Sequence, residues 1–233
     1  MATLNTVRSP YKFKQKDLYV GIKQINKQIA RVNLLDIKKI LDNGNLYFGL
    51  ISGTLLGAIR EHDFISHDQD TDLFLLSEDE EKFKSLLFDM KEIGFHLIRY
   101  DRRGLYSVIR DGEYIDFYIF QPFQNGIRHS GSCYVLEKHV TKTIEIDFIG
   151  AKFRVPADYT DFLSIKYGND WHIPIAKTTY NLSKIQVAKE KMIVKVKRVL
   201  PKILFVWLQY IHAKRKREKF FYRIKKYNVN LNT

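Results

Sequence analysis

The chain has 233 residues, 45% of them hydrophobic and 14% aromatic, which is enough apolar material for one sizeable core and too much for a disordered polymer. It carries a net charge of +13 and a single cysteine, Cys133, which excludes an intrachain disulfide and a zinc site built on several thiolates. The charge is not spread evenly: residues 184–226 hold 15 Lys and Arg against Glu190 and Glu218, and the rest of the chain holds 24 basic and 24 acidic residues. A neutral body followed by a basic tail argues against a protein that grips nucleic acid along its body.

In chain order, the first twenty residues lack the continuous apolar run of a secretory signal. Residues 16–42 carry apolar side chains at three- and four-residue spacing, which predicts an amphipathic helix or two in an N-terminal helical region spanning 12–44. "NGN" at 43–45 ends it. "LYFGLI" (46–51) reads as a buried strand, "SGTLLGAIRE" (52–61) as a tight turn entering a short helix, and "TDLFLL" (71–76) as a second strand. Ser77 followed by four acidic residues opens a helix, with the acids favoured by its dipole. "FHLIRY", "LYSVIRD", "EYIDFYIF", "KTIEIDFIG" and "AKFRVP" read as strands, with Asp111-Gly112 as a hairpin turn, and "ADYTDFLSIKYG" (157–168) reads as a short helix. The expected fold is α+β, a mixed, partly antiparallel sheet flanked by helices, in a body spanning 1–183.

The tail, 184–233, is a basic amphipathic stretch interrupted by Pro201. Its apolar run from Val199 to Ile211 is too short for a bilayer span, which takes roughly 20 residues. Dense positive charge mixed with aromatics over 184–226 suits a helix lying on an anionic membrane surface.

The chemistry concentrates in "ISHDQDTDLFLL" (65–76). Side chains alternate along a strand, so Asp70 and Asp72 point the same way, and two carboxylates on one face suit Mg²⁺ or Mn²⁺ with substrate phosphates. Asp116 is a lone acid in an apolar, aromatic strand, where burial is costly without a partner; it is the natural third member, with Asp68 in support. A calcium loop counted from Asp68 would need Gly and Glu where the chain has Leu73 and Asp79. Ser52, Gly53 and Thr54, at a strand-to-helix turn, offer backbone N–H groups to a phosphate, with Arg60 and His67 adding positive charge. Tyr106, Tyr114, Tyr118 and Trp171 are aromatics available to box a quaternary ammonium such as choline.

These residues carry a resemblance. "LISGTLLGAIREHDFISHDQDTDLFLL", "YIDFYIF" and "YTDFLSIKYGNDWHIP" resemble, in order, the motifs of the LicD family of phosphotransferases, which includes phosphocholine transferases of bacterial surface glycans and fukutin-related protein. The resemblance covers roughly 46–175. Ser66-His67 stands where the family often has Pro-Trp, and Gln69 replaces a frequent Asp. It implies a nucleotidyltransferase-like fold and transfer of a phospho-alcohol (phosphocholine, or ribitol or glycerol phosphate) from a CDP-linked donor. The acceptor would be a hydroxyl of a lipid-linked surface glycan such as lipopolysaccharide, capsule or teichoic acid, modified at the cytoplasmic face of the membrane. In that reading Asp70 and Asp72 hold the metal against the donor diphosphate, Asp116 completes the metal site or accepts the proton of the incoming hydroxyl, and Ser52, Gly53 and Thr54 cradle the phosphate. Two alternatives are a nucleotidyltransferase acting with an NTP on a small molecule or RNA, and a basic nucleic-acid-binding protein.

Overall fold

A computed structural model describes residues 1–16, 18, 24–124, 126–174, 192 and 202–227. Its centre is a mixed sheet in the order β3 (Phe48–Leu50), β4 (Thr71–Leu76), β7 (Glu113–Gln124), β6 (Leu105–Arg110), β5 (His96–Asp101). β4 and β7 run parallel, with Asp72 directly opposite Asp116; the other pairs along this path are antiparallel. The far half of β7 pairs with β8 (Ile127–Ser130), which pairs with β9 (Cys133–Leu136). β1 (Ala2–Leu4) with β2 (Tyr11–Phe13), and β10 (Thr143–Phe148) with β11 (Ala151–Pro156), form two separate hairpins.

The alternation of β4 and β7 sorts the two faces of the sheet. Leu73 and Leu75, with Ile115, Phe117 and Ile119, belong to the buried core, and Phe117 and Tyr106 both meet Phe83 of helix α3 (Glu80–Glu92). Helix α1 (Lys27–Asn43) buries Leu34, Ile37 and Leu41 in the same cluster. Its buried Asn33 takes a hydrogen bond from Arg110 Nε at 2.8 Å and donates to the Arg110 carbonyl at 3.0 Å, pinning the helix to β6. The opposite face carries Asp72 and Phe74 of β4 and Tyr114, Asp116 and Tyr118 of β7. Asp111 and Gly112, with φ of 52° and 79°, make the expected tight turn between β6 and β7.

The N-terminal helix is shorter than the periodicity suggests. It starts at Lys27, because Asn26 caps it by accepting from the N–H groups of Gln28 and Ile29. Lys12 and Phe13, at the start of the expected helical region, instead belong to β2, where Tyr11 and Phe13 point into the core with Lys12 outward. Residues 17 and 19–23 of that expectation lie outside the described residues. β8, β9 and the four-residue helix α4 (Lys138–Thr141) occupy a stretch for which the sequence gives no element.

Of the basic tail, helix α6 (Lys202–Lys226) is described; residues 184–191 and 193–201 lie outside the described set. It is not a detached appendage along its whole length. Phe220 and Ile224 are buried against Ile127, Leu136 and Ile165, the last from helix α5 (Tyr159–Tyr167). Leu204, Trp207, Leu208 and Tyr210, in the first half of α6, are exposed.

Helix α2 (Ser52–Arg60) sets the entrance to β4, and a close approach fixes its position: a Cβ at Gly57 would lie 2.5 Å from the Asp63 carbonyl oxygen. Gly57→Ala should therefore lower stability by roughly 1–3 kcal/mol, as overpacking does. That outweighs the gain in helix propensity of about 1 kcal/mol. Thermal unfolding followed by circular dichroism measures the sign directly.

Candidate metal and phosphate site

Asp72 is the second residue of β4 and Asp116 its direct partner on β7, while Asp70 sits just before β4 begins. One carboxylate oxygen from each lies within 4.8 Å of the others, among the described residues the cluster able to hold a metal ion. Asp72 and Asp116 are buried and Asp70 is partly buried.

Asp72 and Asp116 are held in place. Asp72 Oδ2 accepts from the Gly53 N–H at 3.1 Å, the Asp72 N–H donates to Thr54 Oγ1 at 2.8 Å, and the Ile51 N–H donates to the Asp72 carbonyl at 3.2 Å. Asp116 Oδ1 accepts from Ser107 Oγ at 2.5 Å and Oδ2 is paired with Arg99, whose Nε also donates to Ser107 Oγ at 2.8 Å. Asp68 lies against the turn: a Cβ at Gly53 would meet its Oδ2 at 2.2 Å, so a larger residue there would push the Asp68 carboxylate aside. Ser52 adopts φ of 57°, a left-handed conformation rare for a side-chain-bearing residue, and its hydroxyl accepts from Lys166 of α5.

The electrostatics follow from burial and crowding. Burial, set against the favourable Lys166 charge and reinforced by Asp68 and Asp116, pushes Asp72 up to about 7. Burial first, then Asp72, Asp116 and Asp68, raise Asp70 well above the usual carboxylate range. Burial also raises Asp116, although Arg99 and Ser107 oppose it. Asp68 is raised by burial, with the Gln69 N–H, His67 and Lys166 pulling the other way. Three converging oxygens whose ionisation is this costly fit a divalent cation, since hard oxygen donors and an uncompensated negative charge are what Mg²⁺ or Mn²⁺ requires.

The structure brings Asp70, Asp72 and Asp116 together and sets Asp68 beside them. At the Ser52–Thr54 turn the Gly53 N–H donates to Asp72 Oδ2, the Thr54 hydroxyl oxygen accepts from the Asp72 N–H, and the Ser52 hydroxyl oxygen accepts from Lys166. The turn therefore positions a carboxylate and a lysine. His67 lies near enough to Asp68 to favour its charged form. Arg60 faces elsewhere, donating to the Trp171 carbonyl at 3.0 Å and to Glu61 at 2.8 Å. Tyr114 and Tyr118 share the face of Asp116, but Tyr106 points into the opposite core and donates to Glu80 at 2.6 Å, and Trp171 packs partly buried against the core. Arg99, Ser107 and Lys166 were not singled out in the sequence. Lys166 lies within the "YTDFLSIKYG" segment, and that placement was the available signal.

A mixed sheet whose adjacent parallel strands bring carboxylates together beside a Gly-containing turn is a nucleotidyltransferase-type domain. Residues 45–158 match the LicD/FKTN/FKRP nucleotidyltransferase domain, so that this segment is similar to the LicD family. An uncharacterized protein of Rickettsia typhi is 27% identical over 154 residues, covering 59% of this chain and 48% of that protein. An uncharacterized protein of Rickettsia prowazekii is 33% identical over 67 residues, 29% of this chain and 25% of that one. The chain thus spans about half the length of the first relative and a quarter of the second. Among solved structures, the antibiotic-resistance factor ANT(2'')-Ia gives a TM-score of 0.46 at 14% identity, covering 82% of this chain and 97% of its own. The lincosamide antibiotic adenylyltransferase LnuA gives 0.42 at 10% identity, covering 72% and 96%.

The raised carboxylates set a pH dependence. Without a cation, the folded protein binds protons at Asp72 below about pH 7, whereas the unfolded chain waits until about pH 4. The metal-free protein should lose stability as pH rises through that window. A divalent cation takes the place of those protons, so Mg²⁺ should raise the melting temperature more at about pH 8 than at about pH 5. Scanning calorimetry with Mg²⁺ or EDTA at the two pH values checks this.

Proposed function

We propose that the chain is a Mg²⁺-dependent phosphotransferase of LicD type, moving a phospho-alcohol from a CDP-linked donor to a hydroxyl of a surface glycan with release of CMP. The observation that carries the reading is the meeting within 4.8 Å of Asp72 and Asp116, on adjoining parallel strands, with Asp70 at the entrance to the first, in a segment that matches the LicD domain. These three would hold Mg²⁺ or Mn²⁺, which when bound neutralises charge on the donor phosphates. Arg99 and Ser107 fix Asp116, and the Gly53 N–H and Thr54 hydroxyl fix Asp72, so two of the three ligands are set in position before substrate arrives. Lys166, bonded to Ser52, brings a cation to the edge of the cluster where a phosphate would lie. The proton of the incoming hydroxyl passes to a carboxylate of the triad.

In Asp116→Asn and Asp72→Asn, transfer should fall to the limit of detection while melting stays cooperative, because one side chain of a shared ion site is lost without a change of shape. Incubation with CDP-choline, CDP-ribitol or CDP-glycerol, followed by nucleotide chromatography, reads the outcome. Release of pyrophosphate from CTP or ATP instead of CMP would favour the nucleotidyltransferase reading, which the name of the matched domain keeps in view. Full activity in both variants would remove the triad from the mechanism.

We further propose that the protein works at the cytoplasmic face of the membrane, attached peripherally to anionic lipid through the basic tail, where a lipid-linked acceptor is available. Among the described residues no helix is long and apolar enough to cross a membrane. Leu204, Trp207 and Leu208 are exposed at three- and four-residue spacing, ahead of the Lys- and Arg-rich second half of α6, which suits an interfacial helix. Replacing Trp207 and Leu208 with Ser should cut co-sedimentation with phosphatidylglycerol vesicles several-fold without lowering the melting temperature, since neither side chain is buried. Unchanged sedimentation would count against the tail as the membrane contact.

A further inference from the structure

A cavity of about 590 Å³ opens beside the triad, walled by β8–β9, α5 and α6. Tyr118, which lines it, stands two residues from Asp116 on the same face of β7, and Lys166, which also lines it, donates to Ser52, next to the Gly53 N–H that holds Asp72. The cavity therefore adjoins the acidic cluster, yet the charge of its own lining is mostly cationic.

That charge comes from one face of α6. Lys216, Lys219, Phe220 and Arg223 stand at spacings of three, four and seven, so they share a side of the helix. Phe220 is buried, and Arg223 Nη1 donates to the Ile165 carbonyl at 2.9 Å and to the Lys166 carbonyl, locking this face onto α5. Lys216 and Lys219, one turn and one position before Phe220, are thereby carried to the cavity wall. Among the described residues no carboxylate pairs with either. The other cations of the lining differ: Arg103 is paired with Asp101, and Lys166 donates to Ser52. The hairpin wall is rigid. Arg128 joins β8 to Glu78 at 2.7 Å and to Glu137 at 2.9 Å, and Ser130 Oγ donates to the Gly104 carbonyl at 2.7 Å.

We infer that this cavity is an anion subsite contiguous with the triad, in which Lys216 and Lys219 hold a phosphate group of the substrate; the inference rests on the phosphotransferase reading of the triad. The two halves of the site bind phosphate by opposite means. The triad, itself negative, needs a cation between it and a phosphate, whereas the lysines reach one directly. A substrate with two separated anionic groups would bridge them. The shared chemistry is a phosphate, carried either by the nucleotide donor or by a phosphorylated acceptor.

The test uses the full chain in EDTA, titrated with inorganic pyrophosphate in a calorimeter. Wild-type protein should bind, and K216A/K219A should bind about tenfold more weakly or not at all, the effect of removing two charge contacts. K216R/K219R should retain binding, and unchanged melting temperatures would show that the exposed substitutions leave the fold intact. Equal pyrophosphate affinity in wild type and K216A/K219A overturns the subsite. Repeating the titration with CDP and with a hexose 6-phosphate separates the sources: weakened CDP binding places the donor there, and a loss confined to the sugar phosphate places the acceptor. Asp116→Asn should keep metal-free pyrophosphate binding. If that variant kept transfer while the lysine variant lost pyrophosphate, the triad's role would fall and the subsite would stand.

Discussion

Mutual repulsion among Asp70, Asp72 and Asp116 is the constraint around which this molecule is organised. Carboxylates this close and this buried would be driven apart or protonated unless the surrounding chain opposed it. It does so with directed groups. Arg99 and Ser107 on neighbouring strands hold Asp116, the Gly53 N–H and Thr54 hydroxyl hold Asp72, and Lys166 adds positive charge from α5. These partners come from several separate elements, so the arrangement is a property of the whole sheet and its flanking helices. The in-register parallel pairing of β4 and β7 is what makes it possible, since it sets Asp72 against Asp116 with no freedom to slide.

The basic tail reads differently once α6 is placed. Positive charge in bulk says nothing about direction, and a solvated helix and a docked one have the same composition. Phe220 and Ile224 decide the matter, because two buried side chains one turn apart give the helix a defined inner face. The charge then divides. Lys216 and Lys219 fall on the inner side beside the cavity, while Leu204, Trp207 and Leu208 are exposed further up the helix. One helix can thus serve a surface and a cavity without the two uses competing for residues.

Much of this was legible in the sequence where local chemistry is unambiguous. Alternate aspartates running into "TDLFLL" mark a strand whose start is charged and whose continuation is buried, and Asp116 stands out because a lone acid among aromatics is costly. Asp111-Gly112 specifies its own turn through two positive φ angles. What could not be read depends on register and packing. Ser107 faces Asp116 because β6 and β7 pair antiparallel in that frame, and Arg99 reaches it across β6; neither carries a local signal. Lys166 is one lysine among many until α5 is docked. The turn at Ser52–Thr54 has a part that its local form does not reveal, since its Gly53 N–H donates to Asp72 and its Ser52 oxygen accepts from Lys166. The N-terminal periodicity likewise begins ahead of the Asn26 cap, where the helix has not yet started.

The parallel pairing of β4 and β7 also governs how the molecule comes together in time. Parallel neighbours need a crossover, and here α3, β5 and β6 intervene between them, so Asp72 and Asp116 meet only when positions 72 and 116 have been brought side by side. Closing that loop carries an entropic cost before any contact across it gives a return. An unfolded or half-folded chain can offer an ion Asp70 and Asp72 but not the third oxygen. A cation held by all three oxygens would therefore favour only those chains in which β4 and β7 have already come together.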